Sequence, residues 1–209
     1  MNIVLLDAKT LGDDLDISAL ESFGTLSVYQ TTSKEETLER IEIADIVITN
    51  KVVITANMME EAPKLKLICI AATGMNNVDL DAAKYKGIEV KNVAGYSTKS
   101  VVQHTFAMAL YLLEKMAYYD TVVKDARWTE SGLFTDVSQP FYEISGKKWG
   151  MIGFGTIGQE VAKIATAFGA EVSYHSTSGK NLHHAYPHQT LEFILKDSDI
   201  ISIHAPLND

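Results

Sequence analysis

Short β-branched runs alternate with stretches of helical period along the front of the chain. The runs 3-IVLLD-7, 26-LSVYQ-30, 45-DIVIT-49, 67-LICIA-71 and 88-IEVKN-92 read as strands, and 34-KEETLERIEI-43, 56-ANMMEEAP-63 and 79-DLDAAKYKG-87 read as helices between them. Strands separated by single helices predict βα units and a parallel sheet. From Ser97 to Lys124 the pattern becomes one long helix, with Ser97, Thr98 or Ser100 as candidate caps and an apolar middle wide enough to ask for burial on more than one side. The segment 125–148 has no clear period and predicts an extended arm. A second βα series follows: strand 149–153, helix 157–168, strand 171–175, helix 189–197 and strand 199–204. Three parallel strands make about half of a doubly wound nucleotide domain. The expected fold class is therefore α/β, a flavodoxin-like parallel-sheet domain over 1–98 followed by a partial Rossmann domain over 99–209.

The second series carries Gly153-Phe154-Gly155-Thr156-Ile157-Gly158 between its first strand and its first helix. A bare GxGxxG is a weak signal, and this context makes it a strong one. Gly153 permits the tight turn, Gly155 lets a pyrophosphate approach the backbone, and Gly158 lets helix and strand pack closely. The N–H groups of Thr156 and Ile157 are then placed to meet phosphate, and Val161, Ile164, Ala165 and Phe168 to face the sheet. The plainer alternative is three turn glycines in a domain that binds nothing. About twenty residues on, where an acid would hold the ribose 2′-hydroxyl of NAD, stands 173-SYHSTSGK-180, with no carboxylate between Glu171 and Glu192. Ser176, Thr177, Ser178 and Lys180 form a donor-rich loop, but no arginine is there to grip a 2′-phosphate. The cofactor is expected to be NAD or NADP, and the sequence leaves the two open.

Composition narrows the partners. The net charge of −9 disfavours nucleic acid and anionic lipid surfaces, and no apolar run approaches a membrane span. The N-terminus shows no leader, so a cytoplasmic protein is expected. Cys69, the single cysteine, sits in an apolar run and reads as core. His183, His184 and His188 lack metal-ligand spacing and read as a solvated loop, and His104 reads as a structural or interface residue within the long helix. No metal is expected.

Several segments together resemble the NAD(P)-dependent D-2-hydroxyacid dehydrogenases, in particular the glycerate dehydrogenase and hydroxypyruvate reductase branch. They are 73-TGMNNVDLDAAKYKGIEVKNVAGYST-98, 100-SVVQHTFAMALYLL-113, 143-EISGKKWGMIGFGTIG-158 and 204-HAPL-207. The resemblance implies hydride transfer between a nicotinamide cofactor and a small 2-keto or 2-hydroxy acid such as hydroxypyruvate, glycerate or glyoxylate. It makes the first domain the substrate domain. It places Thr73 and Gly74 in the loop that holds the substrate carboxylate, with Lys51 near that cleft. Val101 is implied to lie by the nicotinamide, and His204, Ala205 and Pro206 along the cofactor. Position 176, acidic in NAD users of the family, is Ser, and Gln103 stands where many relatives have Glu. The resemblance further implies a homodimer through helix 100–124 and the following arm. The catalytic Arg, Glu and His of the family follow the HxPL segment, so no catalytic residue is assigned within these 209 residues, and the chain is expected to be a truncation without activity of its own. The rival expectation is a nonenzymatic, dinucleotide-responsive interaction module.

Overall fold

The computed structural model describes residues 1–182 and 185–206 and divides the chain into two compact units, Met1–Tyr96 and Ser97–Asp209. In the first unit, β1 (Asn2–Leu5), β2 (Thr25–Val28), β3 (Ile46–Thr49), β4 (Leu67–Ile70) and β5 (Glu89–Asn92) form one parallel sheet in the order β2-β1-β3-β4-β5. This is the flavodoxin-like strand order, whose reversal falls between β1 and β3. Val4, Val47, Ile68 and Ile70 point into the core with Ile41, Ile54 and Met59 from the connections.

The helices α1 (Lys34–Ile41), α2 (Ala56–Glu60) and α3 (Leu80–Lys86) begin at side-chain caps: Ser33 in a capping box with Glu36, Thr55 on Met58 N–H, and Asp79 on Ala82 N–H. Helix α2 is shorter than its pattern predicts. Pro63 disfavours the α conformation at Ala62, and the helix closes at Glu60. Two short 3-10 helices, Ala8–Thr10 and Ser18–Phe23, occupy a stretch that shows no period. Cys69 corrects a second expectation: β4 alternates, Ile68 and Ile70 face the core, and Cys69 lies half-buried on the other face.

The second unit contains α4 (Thr98–Leu113), α5 (Met116–Lys124), α6 (Arg127–Glu130), β6 (Lys148–Ile152), α7 (Thr156–Ala167), β7 (Glu171–His175), α8 (Leu191–Asp197) and β8 (Ile200–Ile203). The single long helix expected over 100–124 is broken. Lys115 adopts the left-handed region at φ 52°, and α5 leaves in a new direction that puts Tyr118 and Tyr119 on the arm. Tyr118 donates to Asp136 Oδ2 (2.9 Å) and Tyr119 to Gln139 O (2.7 Å). None of the candidate caps of α4 makes a side-chain cap bond; Ser97 occupies the cap position. His104 is exposed on that helix.

The sheet order is β7-β6-β8, all parallel. The last strand therefore pairs with β6 and not outward of β7, an order that the count of three strands leaves open. The outer position beside β7 is reduced to one parallel bridge between Tyr174 and His188, and β8 crosses to the far side of β6. The point where strand order reverses thus lies between β6 and β8, within the described residues. Helix α7 buries Val161, Ala162 and Ala165 completely. Ile164 and Phe168, expected against the sheet, are 38% and 46% exposed. Helix α4 takes that flank, and Phe106 stacks on Phe168 at 5.6 Å. Among the described residues no helix is long and apolar enough to cross a membrane.

Candidate dinucleotide-binding site

The six-residue glycine turn joins β6 to α7. Gly153 has φ +89°, and a Cβ there would lie 2.6 Å from His204 O and 2.7 Å from Ala205 N. The backbone leaving β8 closes over this glycine, and its N–H donates to His175 O (2.9 Å). A Cβ on Gly158 would lie 2.6 Å from Gly153 O, so the start of α7 sits directly on the turn. Gly155 differs from both. Its backbone is extended (φ −75°, ψ −163°), and a Cβ would meet nothing within 4 Å. Packing accounts for two of the three glycines, and the third leaves backbone open to an approaching group.

That opening coincides with an uncapped helix start. Helices α1, α2, α3 and α8 are each closed by a Ser, Thr or Asp oxygen, whereas α7 begins on Gly155 with no side-chain cap. The first-turn N–H groups of a helix lack intrahelical partners and carry its positive end. Thr156 is exposed and Ile157 half-buried at this point. Phe154 turns inward, 2% exposed and stacked on Tyr174 at 3.9 Å, and Gln159 Nε2 donates to Phe154 O (3.1 Å), bracing the turn from within.

The neighbouring strand ends supply the flanks. Ser176, one residue past β7, is 7% exposed, and its buried hydroxyl has no partner among the described residues. His204 follows β8 with Ala205 and the exposed Pro206. Its Nε2 lies 3.0 Å from Ser202 Oγ, which accepts the indole N–H of Trp149 (2.9 Å). Burial pushes the His204 imidazole below its ordinary pKa, which favours the neutral ring. An open glycine, unspent helix N–H groups and an orphan hydroxyl fit a dinucleotide lying across the β6/β8 reversal. Val101 lies one turn into α4 and is 37% exposed. Helix α4 is tied to α7 by Lys99 Nζ on Glu160 Oε2 (2.9 Å).

The first unit gathers its own candidates at the C-terminal edge of β3 and β4. Lys51, Thr73 and Gly74 are all exposed. Asn92 Nδ2 donates to Thr73 O (2.6 Å), fixing the Thr73–Gly74 loop from β5. Sequence reasoning missed Asp7, which is 4% exposed at the end of β1. Its carboxylate accepts the N–H groups of Asn50 (2.9 and 3.1 Å) and Lys51 (2.7 Å) and so shapes the turn that presents Lys51. The signal was an acid ending an otherwise apolar strand. Ser202 and Gln159 were also passed over, since neither stands in a motif. His183, His184 and Leu207 of the HAPL segment lie outside the described residues. His188 is exposed, its ring 6.0 Å from that of His175. Among the described residues no group of three or more His, Cys, Asp or Glu is placed to hold a metal.

Fold and site define a two-unit α/β protein whose second unit carries an open glycine turn at an uncapped helix start. Residues 3–198 match the D-isomer specific 2-hydroxyacid dehydrogenase, catalytic domain, and the chain belongs to that family. It is 36% identical over 209 residues to a putative 2-hydroxyacid dehydrogenase of Haemophilus influenzae, covering 100% of this chain and 66% of that protein. It is 37% identical over 215 residues to a hydroxypyruvate reductase of Blautia hydrogenotrophica, covering 99% and 66%. Among solved structures, an acyclic imino acid reductase in complex with NADPH and D-Arg superposes with a TM-score of 0.85 at 30% identity, covering 100% and 66%. D-lactate dehydrogenase from Aquifex aeolicus, complexed with NAD and lactic acid, gives 0.80 at 27%, covering 98% and 61%. The chain thus spans just under two thirds of the length of these relatives.

Proposed function

We propose that the protein is an oxidoreductase that passes a hydride between a nicotinamide dinucleotide and a small 2-keto or 2-hydroxy acid of the hydroxypyruvate, glycerate or glyoxylate type. The observation that carries this is the open approach at Gly155, set between two glycines that packing explains, in a chain of this family. The unit 97–209 is read as the cofactor domain and the unit 1–96 as the substrate domain, close to the 98/99 boundary expected from the sequence. The bound dinucleotide supplies the hydride chemistry, and the residues of this chain bind and orient. Thr156 and Ile157 N–H groups hold the pyrophosphate, and Ser176 meets the adenosine ribose. His204, Ala205 and Pro206 line the cofactor, with Val101 by the nicotinamide. Lys51 and the Thr73–Gly74 backbone take the carboxylate of the acid. The relatives bound to NADPH and to NAD support a cofactor of this class.

The same reading makes the protein a homodimer through residues 100–124 and the arm. Supporting it, Tyr111, Leu112, Met116 and Phe134 stand 53%, 67%, 50% and 95% exposed on α4, α5 and the arm. A cytoplasmic setting suits a chain whose single cysteine is unpaired. The test is an assay of the whole protein with hydroxypyruvate, glyoxylate and pyruvate under NADH and NADPH. Oxidation of either reduced cofactor that depends on one of these acids is expected. Dinucleotide binding without turnover of any of them would instead favour the nonenzymatic module.

A further inference from the structure

A cavity of about 380 Å³ opens in the first unit, between the connection that leads from β2 into α1 and the one that leaves β3 for α2. These connections flank β1 at its C-terminal end, beside the reversal of strand order where open α/β sheets take their ligands. Thr32 and Thr37 line it from the first connection and α1, and Val52, Val53 and Met58 from the second and α2. Their hydroxyls are engaged: Thr32 donates to Leu6 O and accepts from Arg40, and Thr37 donates to Ser33 O (2.7 Å). These bonds hold the wall in place.

Lys34 and Lys51 line the same cavity, and both are exposed. Among the described residues no carboxylate lines it, and neither lysine forms a salt bridge. Glu36, two residues from Lys34, is held instead by Arg40 (2.7 Å) and by Ser33 N–H (2.8 Å). Lys34 is also the first residue of α1, where the helix dipole disfavours a cation, so folding does not account for its placement. We propose that this cavity binds a small dicarboxylate, one carboxylate on Lys34, the other on Lys51, and the carbon chain against Val52, Val53 and Met58. Two ammonium groups without salt bridges call for two negative charges, and the apolar wall calls for charges carried on a short carbon body, which inorganic phosphate lacks. The site shares only Lys51 with the acid subsite proposed above and does not depend on the dinucleotide reading.

Calorimetric titration of the whole protein without dinucleotide tests this, with glutarate as the probe and pentanoate as its single-carboxylate control. Glutarate should bind with a Kd of about 1 mM or tighter. Pentanoate should bind at least about tenfold more weakly, and glutarate binding should weaken as salt is raised. Lys34→Ala, a change on an exposed side chain, should weaken glutarate at least about tenfold and bring it level with pentanoate. In NMR spectra glutarate should shift the methyl resonances of Val52, Val53 and Met58. Absence of saturable glutarate binding, equal binding of glutarate and pentanoate, or a Lys34→Ala protein that binds glutarate unchanged overturns the proposal. So does a response confined to Thr73 and Gly74, which would put the acid in the substrate subsite alone. The dinucleotide reading is tested separately, by titration with NADH and NADPH.

Discussion

Replacing Gly155 by valine separates ligand contact from folding more cleanly than any other change in the glycine turn. The residue caps α7 with φ −75° and ψ −163°, a conformation open to any amino acid, and a Cβ meets nothing within 4 Å. Valine is a poorer helix cap than glycine, a cost of about 0.5–1 kcal/mol, and loses less freedom on folding, a gain of about 0.4–1 kcal/mol. The two nearly cancel, so Tm should move by less than about 4 °C for a chain of this size. Bulk placed over the first-turn N–H groups removes at least one charge-assisted hydrogen bond to pyrophosphate, worth about 1.5–3 kcal/mol. That is a rise in Kd of about 10- to 150-fold. Gly158→Ala should do the reverse. Its Cβ would lie 2.6 Å from Gly153 O, and overpacking of this kind costs about 1–3 kcal/mol, or about 2–12 °C in Tm. Calorimetric titration with NADH and NADPH, paired with thermal unfolding, reads both quantities. A Gly155→Val protein that melts normally and binds dinucleotide with unchanged Kd would refute the placement of pyrophosphate on this turn.

Other consequences are narrower. Lys115 holds a left-handed backbone at φ 52°, so Lys115→Gly should stabilise by about 1 kcal/mol and raise Tm by about 2–4 °C; a lower Tm would show that the lysine side chain matters at this turn. Lys163 first, then Lys99, hold the Glu160 carboxyl down at about 2, below its ordinary 4.5. A depressed carboxylate contributes stability that is complete above about pH 4.5 and lost as pH falls toward 2. The stability difference between the wild type and Glu160→Gln should follow that window, and a difference undiminished at pH 2 would exclude the ion pairs as its source. Burial lowers the His204 pKa, so its imidazole should titrate by NMR below the ordinary 6.5, and stability tied to the neutral ring should fall as pH drops below that value. A midpoint at or above 6.5 would contradict the buried, Ser202-bound geometry.

The strands were legible to within a residue or two because β-branched runs such as Ile46–Thr49 and Ile200–Ile203 announce both their type and their ends. The glycine turn was legible because its spacing sits between a strand and a helix that could each be read independently. What escaped was information that does not reside in local pattern. Lys115 breaks the helix without the glycine or asparagine that usually marks a left-handed residue, so nothing at 114–116 interrupts the apolar period. Ile164 and Phe168 follow the helical period of α7, yet α4 covers that side, and Phe168 finds Phe106 in place of the sheet. Cys69 looked like core because a short apolar run hides the alternation that puts Ile68 and Ile70 on the opposite face. Asp7 required knowing that Asn50, distant in sequence, returns beside it.

The partner of β8 was the most consequential of these omissions. Periodicity says that 200–203 is a strand and says nothing of which strand it joins. Pairing with β6 places His204 and Ala205 over Gly153, closely enough that a Cβ there would collide with their backbone. The first glycine of the turn is therefore required by a residue pair that comes much later in the chain. The same logic orders the first unit, where Asp7 after β1 grips the Asn50–Lys51 turn after β3. In each sheet the strands on either side of the reversal send their connections to opposite faces, so the backbone ends between them are left uncovered by a crossing helix. Groups gathered there, whether an acid holding two N–H groups or a glycine beneath a carbonyl, set the shape of an open edge. The candidate groups of both units collect at these edges because the chain paths diverge there and leave backbone open.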